Sequence, residues 1–253
     1  MSLIRIEADG PVATLILDRP DKRNAMSDAL LAEIDAALAA PPEGTRVLVL
    51  AGEGGHFCAG LDLSEHQARD AEGTMRHSRG WHQVMDRVQF GGGPVVSALR
   101  GAVIGGGLEL ATATHVRVAD PTAVFQLPEG RRGIFIGGGA SVRVGRILGA
   151  DRMTEMMLTG RKYGADEALA LGLAHYVVAE GEALARARDL ARQIAGNAPL
   201  SNYIMIQALA RIEDMSKADG LFTESLAAAL TQTSPDALEG LRAFLEKRPP
   251  RFQ

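Results

Sequence analysis

The sequence predicts an α/β fold that gives way to a helical C-terminal segment. Three observations carry that expectation. Short β-branched runs alternate with segments of helical period up to about residue 178, and several of those runs end in glycine-rich loops that open into helical sequence. From Glu182 onward the chain is nearly all helix former.

The elements follow in order. Leu3 to Ala8 and Val12 to Leu17 read as two strands joined at the turn dipeptide Asp9-Gly10. After Arg19-Pro20-Asp21, Ser27 is placed to cap a helix in which Leu30, Leu31, Ile34 and Leu38 recur at helical spacing, ending before Pro41-Pro42. Arg46 to Leu50 and Pro94 to Leu99 are strand-like, each followed by glycines. Between them, residues 64 to 90 read as a mobile loop followed by a helix around Trp81 to Val88. A helix is expected at Gly106 to Ala113, a strand at Val116 to Ala119, a loop through Pro121 and Pro128, and helices near Ala140 to Leu148 and Arg152 to Leu158. The tail reads as helices at Ala183 to Ile194, a run after Asn197-Ala198-Pro199 to Ile212, Gly220 to Leu230 and Pro235 to Glu246.

Composition excludes several classes. A chain of 253 residues with 46% hydrophobic content and net charge −4 suits one buried core; it is neither a basic nucleic-acid binder nor a disordered acidic chain. The single cysteine, Cys58, rules out an internal disulfide and fits a reducing, cytoplasmic setting. Glu7 and Asp9 stand where an export signal needs apolar residues. The longest uncharged stretch, Gln193 to Ala210, contains Asn197, Pro199, Ser201, Asn202 and Gln207 and is too polar to span a membrane. Glycine is the outlier, with 29 residues against an average usage of roughly 7%.

The glycines do not match nucleotide signatures. After Gly52-Glu53-Gly54 the third glycine of a dinucleotide loop falls on Phe57, no phosphate-cradling G-K-[ST] exists, and Gly139-Ala140-Ser141-Val142-Arg143 lacks the second glycine of a nucleophile elbow, leaving Ser141 as a polar residue at a helix start. Bare backbone N–H groups at a helix N-terminus offer a different use, binding a developing oxyanion. The candidates are His56 to Asp62 and Val103 to Leu110, which read alternatively as tight turns. Glu109, between Leu108 and Leu110, either complements a helix dipole or is a semi-buried acid. Glu129 is a second carboxylate among apolar neighbours. Two such acids beside an oxyanion site make a general acid/base pair for chemistry next to a carbonyl. His77 and His82, five residues apart, read as solvated.

Several segments together resemble the crotonase superfamily, the enoyl-CoA hydratases and isomerases. They are Arg19-Pro20 with Lys22 to Ser27, Phe57 to Leu63, Gly101 to Leu110, Phe125 to Gly130, and Phe244 to Arg248. The resemblance implies an α/β crotonase-like spiral ββα core over residues 1–195, with a helical C-terminal trimerisation region over 196–253, assembled as a homotrimer or dimer of trimers. It implies an acyl-CoA substrate, coenzyme A being part of that substrate, with no separate cofactor, no metal, no nucleic acid and no membrane. The thioester carbonyl would sit between the N–H groups of Ala59 and Gly106. Glu109 would help activate the water that attacks the β-carbon, and Glu129 would deliver a proton to the α-carbon. Lys22, Arg23 and Ala25 would lie near the CoA nucleotide, Leu61 and Asp62 near the pantetheine, and Phe244 and Lys247 near the CoA of a neighbouring subunit. Lys22 and Arg23 read equally as a solvated turn.

The implied reaction is hydration of a trans-2-enoyl-CoA to a 3-hydroxyacyl-CoA. Conjugate addition builds charge on the thioester oxygen, so fixed N–H donors favour the transition state over the ground state. After Glu129 this chain departs from the common hydratase pattern, with Arg131-Arg132-Gly133-Ile134-Phe135-Ile136 before Gly137-Gly138-Gly139. Phe135 and Ile136 are therefore expected to shape the acyl pocket, and no role for the three glycines follows from sequence. The competing readings are an isomerase using one acid, a CoA-thioester lyase or hydrolase, and a non-catalytic CoA-binding protein.

Overall fold

The computed structural model describes residues 2–64 and 68–253. Its strands are Ile4–Asp9 (β1), Val12–Leu17 (β2), Val47–Gly52 (β3), Val95–Leu99 (β4), Ala102–Ile104 (β5), Val116–Ala119 (β6), Val124–Gln126 (β7) and Tyr176–Val177 (β8). The first two form the expected hairpin, with Asp9 opposite Val12 and Gly10 at a positive φ of 56° in the turn. Every later pairing in the main sheet is parallel, in the order β1-β2-β3-β4-β6-β8. β5 and β7 pair separately. Isolated bridges Met26·Leu61, Cys58·Val103 and Phe125·Tyr163 carry this second layer onward, so the chain spirals from one sheet to the other.

The first helices are Asp28–Ala39 (α1), Ala71–Phe90 (α2), Gly106–Ala113 (α3), Ala140–Leu148 (α4), Ala150–Thr159 (α5) and Ala165–Ala170 (α6). Ser27 caps α1 by accepting the Leu30 N–H at 3.2 Å. The main core lies between the sheet and these helices. Ala183–Ala195 (α7) covers the opposite face of the sheet, packing Ala187, Leu190 and Ala191 on Val47, Val49, Val96 and Val118. Pro199–Ile212 (α8), Lys217–Gln232 (α9) and Pro235–Leu245 (α10) follow; α8 rests on α2 through Gln207, which donates to the Phe90 carbonyl at 2.7 Å. Among the described residues no helix is long and apolar enough to cross a membrane.

Two expectations need correction. The loop through Pro121 and Pro128 contains β7, and β5 was not foreseen; both are three-residue strands too short to show alternation. The helix expected around Trp81 begins ten residues earlier, at Ala71. Asp70 caps it by accepting the Gly73 N–H at 2.7 Å, and an Arg76–Glu72 ion pair one turn apart supports its first half. The polar run and its two glycines, Gly73 and Gly80, hid the period. The remainder of the expected loop includes residues 65–67, which lie outside the described residues.

Candidate active site

The first turn of α3 is built from glycine because the chain approaches it from three sides. A β-carbon on Gly106 would stand 2.7 Å from Trp81 Cζ3 and 2.9 Å from Met26 Cε, and one on Gly107 would stand 2.2 Å from the Cys58 carbonyl oxygen. Gly105 turns into the helix at a positive φ of 54°. All eight residues of α3 are buried, so its N-terminal N–H groups act in a low dielectric. As the first helical residue, Gly106 has no intrahelical acceptor for its N–H.

Glu109 leaves this helix on its fourth residue and is 4% exposed. Its Oε1 accepts the N–H of Gly138 at 2.7 Å and that of Ala140 at 3.2 Å. Gly137-Gly138-Gly139 is therefore a cradle for this carboxylate: a β-carbon on Gly138 would lie 2.6 Å from Glu109 Oε2. Arg143 stays the cradle, donating to the Gly138 carbonyl at 3.4 Å while bonding Gln89 at 2.7 Å and Asp86 at 2.6 Å. Burial raises the Glu109 pKa, and the backbone donors together with Arg143 oppose that rise.

Glu129 opens a 3-10 turn, Glu129–Arg132, directly after β7 and Pro128. It is 6% exposed, and its Oε2 has no hydrogen-bond partner among the described residues. Its Oε1 lies where a β-carbon on Gly105 would come within 2.8 Å. Burial pushes this carboxyl up to about 7, and the charge of Glu109 adds to the rise; its own backbone N–H and Arg132 work against it. The two acids thus differ in support, one held by a nest of donors and the other nearly bare.

Both acids face one cavity of about 160 Å³. Leu61, Gly105, Gly106, Trp81, Ile134, Phe135, Ile136 and Gly138 also line it, with Thr74, His77, Ser78 and Arg132. His77 is half-buried rather than solvated, its Nε2 standing 2.6 Å from Asp28 Oδ1. Ile136 is buried, whereas Phe135 is 71% exposed at the rim.

Ala59 does not supply the donor expected of it. Its N–H is spent on the Arg23 carbonyl at 3.0 Å. Between Phe57 and Asp62 the N–H without an acceptor among the described residues is that of Leu61. In the bridge to Met26, Gly60 accepts the Met26 N–H at 2.7 Å and Asp62 donates to the Met26 carbonyl at 2.9 Å, so the Leu61 N–H between them faces the other way. The start of α3 is adjacent, since a β-carbon on Gly60 would be 3.3 Å from Gly106 N, and Leu61 and Gly106 line the same cavity. Ala59 and Leu61 are two residues apart, and only the register of this bridge separates them.

The expected CoA contacts are dispersed. Asp62 is buried, with its carboxylate taken by Arg19 at 2.9 Å and by Ser64 at 2.6 Å; the Ser64 bond foremost, with Arg19, holds its pKa low. Lys22 is exposed and reaches Ser64 Oγ at 3.3 Å, Arg23 is exposed at a positive φ of 50°, and Ala25 is buried with its carbonyl accepting from Arg19 at 2.5 Å. None of these four lines the cavity, and neither do the exposed Phe244 and Lys247 at the end of α10. Trp81, Arg132 and the Gly138 cradle are cavity features the sequence did not single out as such; the triple glycine was the one signal that pointed there.

The family model for enoyl-CoA hydratase/isomerase matches residues 7–253. The chain is similar to the mitochondrial enoyl-CoA hydratase domain-containing protein 2 of Bos taurus, at 37% identity over 95% of this chain and 84% of that protein. Among solved structures it is similar to a Rhodopseudomonas palustris CGA009 chain provisionally described as an enoyl-CoA hydratase, with TM-score 0.94 and 47% identity over 97% of this chain and 95% of that one. It is also similar to the enoyl-CoA hydratase of Bacillus anthracis, with TM-score 0.93 and 32% identity over 99% of both chains. With its spiral of paired sheets and a match across nearly its whole length, this chain belongs to the enoyl-CoA hydratase/isomerase family, the crotonase superfamily.

Proposed function

We propose that the protein hydrates a trans-2-enoyl-CoA to the 3-hydroxyacyl-CoA. The observation that carries this reading is two buried carboxyls of unequal support facing one cavity lined also by Leu61 and Gly106, whose N–H groups have no acceptor among the described residues. The thioester oxygen sits between the N–H groups of Leu61 and Gly106, where enolate charge develops during addition. Glu109, whose Oε1 is held by two N–H donors that oppose the upward pull of burial, is the base in this reading; its other oxygen takes a proton from water as the water oxygen attacks the β-carbon. Glu129, pushed up to about 7, carries a proton in about half of the molecules at neutral pH and is the acid in this reading, giving that proton to the α-carbon. Atoms balance as one water added, with no redox change and no group lost.

The C-terminal region, residues 196–253, serves in this reading as the oligomerisation region of a homotrimer or dimer of trimers. Phe222, Leu226 and Leu230 form a stripe along α9, each more than half exposed, and Leu241 and Phe244 extend it on α10. Lys22, Arg23, Phe244 and Lys247 are then left for the CoA moiety, the last two from a neighbouring subunit.

The deciding experiment incubates the protein with a panel of 2-enoyl- and 3-enoyl-CoAs and reads products by mass spectrometry. Gain of one water is the expected result. Double-bond migration at constant mass, or release of free CoA, overturns it in favour of an isomerase or hydrolase.

A further inference from the structure

We infer that Arg132 selects an acyl group that ends in a carboxylate. The inference rests on the hydratase reading for its substrate, and on separate geometry for its specificity.

In a 3-10 helix, side chains three residues apart eclipse one another. Glu129 and Arg132 are the first and last residues of such a turn, and both line the cavity. The adjacent Arg131 is committed elsewhere, donating to the Thr159 carbonyl. Arg132 is exposed at the cavity rim; among the described residues it forms no hydrogen bond and no ion pair, and the one charge its own acts on is that of Glu129, whose rise it opposes. Its neighbours on this wall are Ile134, Phe135 and Ile136.

With the thioester oxygen at Leu61 and Gly106 and the reacting carbons between the two glutamates, the rest of the acyl group lies against this wall. A methyl-ended chain offers the guanidinium no acceptor and so gains nothing from it. A terminal carboxylate gives it a planar, two-oxygen acceptor matching its fork of donors. An anion at Arg132 has two possible sources, the acyl terminus or a phosphate of CoA. The pantetheine arm separates those phosphates from the thioester, whereas Arg132 is three residues from the acid assigned to the reacting carbon. The acyl terminus is therefore the source.

The test compares five- to seven-carbon 2-enoyl-CoAs ending in a carboxylate with methyl-ended thioesters of equal length. The unmodified protein is expected to favour the carboxylate-ended series by about tenfold or more in kcat/KM, as one charge-assisted pair supplies. Arg132→Gln brings the ratio close to one, Arg132→Lys keeps part of it, and Arg131→Gln, which removes the neighbouring charge, leaves it unchanged. A ratio near one in the unmodified protein, or one that survives Arg132→Gln, overturns the inference. Calorimetry with free CoA separates the two anion sources: if Arg132→Gln weakens free CoA as much as the carboxylate-ended thioester, Arg132 belongs to the phosphates and the inference fails. Calorimetry with saturated five-carbon thioesters keeps the two readings apart. Absence of any hydration sinks the hydratase reading alone, while tighter binding of the saturated carboxylate-ended thioester still supports Arg132 and equal affinity overturns its role.

Discussion

Gly138 donates its N–H to Glu109 Oε1 at 2.7 Å, and a β-carbon on the same glycine would fall 2.6 Å from the other oxygen of that carboxylate. One residue therefore binds the acid and leaves room for it. A side chain there would keep the donor and evict its acceptor. Gly138→Ala is expected to lower kcat by about 10²-fold, the share of one positioned proton-transfer group, with the fold intact by circular dichroism. Gly137→Ala is the comparison, because its β-carbon would meet only Ser78 at ordinary contact distance, 3.6 Å; equal losses in the two variants would count against the cradle.

Glu109→Gln and Glu129→Gln are each expected to reduce hydration by about 10²-fold or more while acyl-CoA binding persists. Steady-state rates together with calorimetric titration of a saturated acyl-CoA check both halves. Full activity in either variant removes that residue from the mechanism.

The donor pair is tested without changing any side chain. Replacing the Leu61 peptide N–H by an ester oxygen is expected to cost about 10²- to 10³-fold in kcat, the typical loss of one oxyanion donor. The same replacement at Ala59 breaks only its bond to the Arg23 carbonyl, so its effect belongs in thermal stability. The reverse pattern would restore Ala59 to the role the sequence suggested.

The protonation of Glu129 has a kinetic and a thermodynamic signature. As the proton donor, it loses its proton above about 7, so kcat/KM is expected to fall on the alkaline side of that value. The folded carboxyl holds its proton up to about 7 and the unfolded one releases it near 4.5, so the folded state binds the extra proton between those values. Its contribution to stability is full below about 4.5 and is lost as pH rises to about 7, a difference of about 3 kcal/mol. Glu129→Gln should therefore raise Tm at pH 8 relative to the unmodified protein and do so less at pH 5, as read by calorimetry.

If the exposed stripe on α9 is buried in the trimer-based assembly proposed above, light scattering is expected to give a mass of three or six chains. Leu226→Asp places a charge amid Phe222 and Leu230 and is expected to shift that mass toward one chain. A monomeric unmodified protein at concentrations where it is active would refute the assembly.

Much of this was legible in the linear chain, and the limits have physical reasons. Period, caps and turn residues act within a few positions, which is why the β1–β2 hairpin, the Ser27-capped α1 and the bounds of α3 could be read directly. Glu109 and Glu129 stood out as acids among apolar neighbours, and burial of both is what the structure displays. The second layer escaped notice because three-residue strands and single bridges carry no period. Which backbone N–H is free is decided by a bridge between Leu61 and Met26, 35 residues apart in the chain, and nothing local distinguishes Leu61 from Ala59. The sequence by itself determined an α/β chain with a helical tail and a pair of semi-buried acids. Only the tertiary structure decided that Gly137-Gly138-Gly139 wraps Glu109, that the Ala59 N–H is taken by Arg23 while Leu61 lines the cavity with Gly106, and that Arg132 shares a wall with Glu129. Those relations join segments tens of residues apart, and packing rather than propensity sets them.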